Sequence, residues 1–287
     1  MAVTDLLSRP ARAARGRRRT PKRSRRTGLF LATASAGALL TVAIVLVTTQ
    51  GTPTPNPVCA VAPTISNNRH TFTPEQAQNA AIIAAVASAK KMPDHAVTVA
   101  LAAALQESGL ANLPYGDRDS VGLFQERPSQ GWGTRTQILQ PAYAAGAFYD
   151  RLAQVPGWQS MPVTEAAQAV EQSAAPNAYA GWEGQARGMA IAFTGQAAAG
   201  LSCRFTQFGG SAPAPTALAG ALVSEMGSDL LGVPLSVKTG WSVATWVVAH
   251  AYAYHVNSVS FGGQTWRPDP GSWSNDATAS AQVVTVS

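Results

Sequence analysis

One glutamate stands where it could do chemistry: Glu107, in the run Ala104-Leu105-Gln106-Glu107-Ser108-Gly109. The residues before it are mostly alanine, valine and leucine, with Val97, Leu101 and Leu105 at helical spacing, and Gly109 lets the chain turn out of a helix. A carboxyl group at the C-terminal end of an apolar helix meets the partial negative charge of the last carbonyls and loses water to its neighbours. Both effects favour the acid form. A carboxylic acid that holds its proton near neutral pH can deliver it to a departing oxygen, the step that breaks a glycosidic bond. The plainer alternative is a glutamate that faces water at an ordinary helix end.

A retaining glycosidase also needs a second carboxylate about 5 Å from the acid. Asp117, Asp119 and Glu126 are the nearest in sequence. Asp117-Arg118-Asp119 reads as a salt-bridged brace of a loop or as a cation site. Trp132, Trp158 and Trp182 flank the stretch; they suit stacking on sugar rings and suit core packing equally. The four histidines His70, His95, His250 and His255 lack paired ligand spacing, so neither metal nor cofactor is expected. No Ser-His-Asp arrangement or phosphate loop is present.

These residues need helices to hold them. Thr73-Pro74-Glu75-Gln76 offers an N-cap, a first-turn proline and a polar residue three positions on, ahead of the alanine-rich run Ala77 to Lys91. Pro93-Asp94 breaks that run and restarts a helix that ends near Glu107-Ser108-Gly109. Further helices are predicted over Thr136–Leu152, Thr164–Ser173, Gly184–Gln196 and Ser242–Asn257, with short strands at Val259–Phe261, Gln264–Arg267 and Gln282–Val286.

Composition divides the chain further. The net charge of +6 is concentrated at one end: residues 1–27 hold ten Arg or Lys against Asp5, a balance of +9 that leaves the remainder at −3. Gly28 to Thr49 has no charge at all, long enough for the roughly 20 apolar residues that cross a bilayer. Basic residues stay on the cytoplasmic side, which places the tail inside and the rest of the chain outside. Next to such a span, topology and anionic lipid explain the basic tail, and nucleic acid is not expected as a partner. The apolar core is long for a signal peptide and lacks a small-x-small site, which favours an uncleaved anchor. Cys59 and Cys203 both fall on the outer side, where a pair is expected to be oxidised; two unrelated buried thiols are the alternative. In the chain-entropy picture a bridge closing so long a loop stabilises by about 4–5 kcal/mol.

Glu107-Ser108-Gly109-Leu110, followed by Ser120-Val121-Gly122-Leu123-Phe124-Gln125, resembles the paired motifs of the lytic transglycosylase and lysozyme-like superfamily. There a Glu-Ser pair ends a helix and a Gly-Leu-Met-Gln segment walls the cleft, with Phe124 here in the place of Met. Tyr115 to Asp119 and Arg127 to Gly133 look like an actinobacterial group of cell-surface proteins with this domain. The resemblance covers about residues 70–200 and implies Glu107 as catalytic acid. It also implies that Ser108 positions substrate or Glu107 itself and that Gln125 binds substrate, with Tyr179, in the permuted stretch Asn177-Ala178-Tyr179-Ala180-Gly181, as a further substrate contact or else a packing tyrosine. Glu126 departs from the pattern, standing where the related proteins carry Gln, and is assigned no role. A transglycosylase needs no carboxylate nucleophile, which fits one clear glutamate.

The expected architecture is mainly α. A basic cytoplasmic tail (1–27), a transmembrane helix (28–50) and a spacer (51–58) lead to a lysozyme-like domain (59–204), a linker (205–216) and a small α+β domain (217–287). The expected function is cleavage of peptidoglycan glycan strands outside the membrane. Trp241, Trp246, Trp266 and Trp273 would let the last domain bind wall polymer or a wall-protein partner. A non-catalytic peptidoglycan-binding protein and an envelope scaffold are the rival readings.

Overall fold

Two alanine-rich helices lie at the centre because alanine lets neighbouring backbones approach closely without leaving voids. In the computed structural model, which describes residues 56–62, 70–173, 175 and 177–287, they are α1 (Pro74–Ala89) and α2 (Asp94–Ser108). The expected tail (1–27), the apolar span 28–50 and residues 51–55 of the spacer lie outside the described residues. Among the described residues no helix is long and apolar enough to cross a membrane.

The start of α1 follows its sequence signals: Thr73 accepts a hydrogen bond from the Gln76 backbone while the Gln76 side chain accepts one from the Thr73 N–H. The predicted helix over Thr136–Leu152 is instead two, α3 (Arg135–Ile138) and α4 (Pro141–Leu152). Pro141 forces Gln140 into an extended conformation, and the chain restarts with proline in the first turn of α4. Then come α5 (Val163–Glu171), α6 (Glu183–Phe193), α7 (Ala217–Met226) and α8 (Val237–Tyr254). The start of α8 lies five residues before the predicted Ser242, where Ser236 caps the Thr239 N–H. The structure is thus mainly α, with two small antiparallel sheets.

The first sheet has the order β2–β1–β3: β1 (Val58–Val61) lies between β2 (Thr71–Phe72) and β3 (Leu201–Arg204). In that register Cys59 sits directly opposite Cys203, and the two form the expected disulfide. The second sheet, ordered β6–β5–β4–β7, joins β4 (Val259–Phe261), β5 (Gln264–Arg267), β6 (Ser272–Asn275) and β7 (Thr285–Val286).

The described residues form one compact unit. Helix α8 packs along α1, and α2 packs against α5 and α6. The stretch 205–216 begins inside this core, because Phe205 is buried with its ring against Phe208, Tyr252 and Trp266. The tryptophans expected to bind wall polymer are spent on packing. Trp241, Trp246 and Trp266 are buried. Trp266 and Trp273 donate their indole N–H groups back to the carbonyls of Cys203 and Leu201, and Trp246 donates to Glu225 Oε2. A buried indole needs such an acceptor, and the bonds of Trp266 and Trp273 tie the second sheet to the first. His250 is buried beside Trp246, and His255 ends α8 in a left-handed conformation rather than lying within it.

Candidate active site

Helix α2 stops at Gly109, whose φ of 64° is one that glycine adopts without strain. Two side chains of α1 seal this end: Gln76 Nε2 donates to the Gly109 carbonyl and Asn79 Nδ2 to the Leu110 carbonyl, each at 2.8 Å. With the helix terminus satisfied, the last turn is held rigidly, and Glu107 projects from it into a cleft.

That cleft has a volume of about 300 Å³, and Glu107, Gln125, Glu126, Arg127, Trp132 and Glu171 are among the residues lining it. Its far wall is the loop between α2 and α3, folded back through bridges pairing Leu113 with Gly122 and Val121 with Glu126. Gly122 is required there, since its φ is 83° and a Cβ would lie 2.8 Å from the Ile138 carbonyl oxygen.

Glu107 is mostly buried, and loss of water raises its pKa above the usual carboxylate value. The Tyr179 hydroxyl opposes the rise by donating to Glu107 Oε1 at 2.8 Å. Tyr179 is itself fully buried in the 3-10 turn Ala178–Trp182, and next to it Trp182 donates to Gln106 Oε1 at 2.8 Å. The turn therefore clasps the end of α2 at two consecutive residues. A glutamate that is desolvated yet hydrogen-bonded can hold a proton and be aimed.

The other expected substrate contacts divide. Gln125 lines the cleft with a φ of 51°, and its Nε2 donates to the Gly122 carbonyl at 3.1 Å. Ser108 is committed to structure: its hydroxyl lies 2.7 Å from the Leu123 carbonyl and 3.1 Å from that of Ala104, stapling the loop onto the helix. Asp119 is a brace, bonded to Arg127 Nε at 2.8 Å and to both the backbone and the hydroxyl of Ser129. Those donors hold its carboxylate well below the usual range. Asp117 stands at the cleft with its side chain 90% exposed. Trp132 is buried under Arg151, whose guanidinium lies 3.4 Å from the ring centre.

Two further carboxyl groups share the cleft. Glu126 is 2% exposed, and burial pushes its pKa up to about 8 against an opposing pull from Arg151. Glu171, at the end of α5, is raised well above the usual value by burial first and then by Glu126 and Glu107. Both oxygens of Glu126 and Oε1 of Glu171 are buried without a hydrogen-bond partner among the described residues. Glu171 was not a sequence candidate. Its signal was spacing: Val163, Ala167 and Glu171 follow at intervals of four along α5, which puts the glutamate in line with the buried face. Among the described residues no group of His, Cys, Asp and Glu is arranged to hold a metal ion.

No protein-family model matches the chain, and no curated protein sequence matches it.

Proposed function

We propose that this protein cleaves the glycan strands of peptidoglycan outside the cytoplasmic membrane, with Glu107 as general acid and the 28–50 segment as anchor. The observation that carries the reading is the clasp on Glu107: a carboxyl group desolvated at a helix end, aimed by Tyr179, and facing a cleft. Protonation of the bridging oxygen by Glu107 would expel the leaving sugar. The same carboxylate would then take the proton from a hydroxyl of the remaining sugar as that hydroxyl closes an anhydro ring, which returns Glu107 to its acid form.

The neighbouring carboxyl groups favour this one-glutamate route over retaining hydrolysis. A nucleophile must be ionised, and burial raises the pKa of Glu126 to about 8 and pushes that of Glu171 upward as well, so both resist ionisation. Asp119 is tied to Arg127 and Ser129. One observation supports a second reading: Asp117, exposed at the cleft, could serve as the base that activates water in an inverting hydrolase.

Incubating the oxidised chain with purified peptidoglycan and identifying the soluble products by mass spectrometry separates these. Anhydro ends that vanish in Glu107→Gln are expected. Reducing ends that vanish in both Glu107→Gln and Asp117→Asn would establish the hydrolase instead. Binding to the wall without release of any product would reject catalysis.

A further inference from the structure

Glu126 and Glu171 are expensive to keep where they are. A buried polar atom without a partner costs as much as the hydrogen bond it lacks, and two neighbouring acids raise each other's cost. The cations near them are occupied. Arg127 is paired with Asp119 at 2.8 Å, while Arg151 lies over Trp132 and donates to the Gln130 carbonyl at 3.4 Å. Three buried carboxyl oxygens, two from Glu126 and one from Glu171, are therefore left without a partner, on side chains that line the cleft beside Glu107.

The missing partner is defined by its donors. A carbonyl or ether oxygen brings none, and an acetamide brings a single N–H. A primary ammonium brings three, together with the positive charge that lets the two acids give up their protons without leaving buried negative charge uncompensated. We propose that Glu126 and Glu171 form a subsite for a primary ammonium group carried by the substrate. This rests on the reading of the cleft as a glycan site, and it makes the preferred strand one with a free amine near the cleaved bond. That amine has two sources, a de-N-acetylated hexosamine of the glycan or an amino group of an attached peptide.

Seating an ammonium ionises the carboxyl groups that face it. Burial keeps Glu126 protonated up to about pH 8, so binding at pH 6 expels a proton to the buffer. The titratable and charged groups facing the pair are Glu107, Arg151 and Tyr179 and, across the same cavity, Asp117 and Arg127. Glu171 is raised in the same direction, so the release is assigned by removing Glu126 and Glu171 one at a time.

The experiment is calorimetry of the full chain carrying Glu107→Gln, which prevents turnover, at pH 6 in two buffers of different ionisation enthalpy. The ligands are a glucosamine hexamer, an N-acetylglucosamine hexamer, and a peptide-bearing glycan fragment with its peptide amine free or acetylated. Proton release with the glucosamine hexamer, tighter binding than its acetylated counterpart, and a fall in both on adding Glu126→Gln would support the subsite with the sugar amine as source. That substitution is expected to weaken the amine ligand about 30-fold or more, and Glu171→Gln to do the same. Release seen only with the free peptide amine would support the subsite with the peptide as source. Equal binding of both hexamers without release overturns the subsite and leaves the glycan cleft standing. No binding of any glycan overturns both.

Discussion

Glu126→Gln changes one oxygen for a nitrogen in a fully enclosed position, and its effect on stability is calculable. Burial raises the Glu126 pKa from the usual 4.5 to about 8, so between those values the folded protein holds a proton that the unfolded chain releases. The unfolded state binding fewer protons means stability falls as pH rises, by about 1.4 kcal/mol per pH unit. The stabilising protonated form is fully present below pH 4.5 and is lost as pH passes through about 8. Gln cannot ionise, has nearly the same volume, and inherits the same lack of partners, so near pH 4.5 the two proteins should be similarly stable. By pH 7 the variant should be the more stable by about 3 kcal/mol, and the gap should stop growing above about pH 8. Urea denaturation at pH 5, 6, 7 and 8 reads this directly, provided the slope m stays constant. A shallower decline should remain in the variant because Glu171 is also raised by burial. Two stability profiles that run parallel from pH 5 to pH 8 would refute the reasoning, because Glu126 would then be ionised in the folded protein at no cost.

Tyr179→Phe removes the hydroxyl that lowers the Glu107 pKa, so the high-pH limb of the cleavage rate should move upward; an unmoved limb in a pH–rate profile would dissociate the two residues. Cleavage by Glu107→Gln should fall by about 10²–10⁴-fold with no loss of stability at neutral pH, since Gln keeps the volume of Glu107 and removes a carboxyl whose pKa burial raises. Gly116→Ala places a Cβ 1.9 Å from Gln125 Oε1 and 2.9 Å from the Ser120 carbonyl oxygen, so Gln125 must move; KM for glycan should rise with little change in kcat. Reduction of the Cys59–Cys203 bridge should lower stability by about 2–5 kcal/mol, read as a shift in the denaturation midpoint.

What could be read from the sequence was what local chemistry controls. The Thr73–Gln76 cap, the Gly109 stop and the hairpin strands Val259–Phe261 and Gln264–Arg267 are each set by residues close together in the chain. The first sheet could not be read that way. Its strands are two to four residues long and lie more than a hundred positions apart at β1 and β3, too short for alternation to show. The tryptophans of the last segment misled for a related reason: composition cannot distinguish an indole offered to sugar from one donating to the Cys203 carbonyl. Glu107, Gln125 and Tyr179 were named from a motif, but Tyr179 as a substrate contact; its bond to Glu107, across 72 positions of sequence, belongs to the fold and could not be read. Glu171 was not named, because its surroundings arise only when α5 packs against α2.

The disulfide also has a mechanical meaning. Cys59 is bonded to Cys203, 144 positions later, and everything that builds the cleft lies between them. Tension applied along the chain ahead of Val58 and resisted beyond Arg204 would travel through the sulfur–sulfur link and leave the enclosed loop slack. Beyond β3 the covalent chain carries the load, and the indole bonds of Trp266 and Trp273 hold the second sheet to that strand. A protein pulled between its two ends would therefore keep Glu107, Tyr179 and the carboxyl groups around them off the line of load, with the geometry of the cleft insulated from strain in whatever holds it.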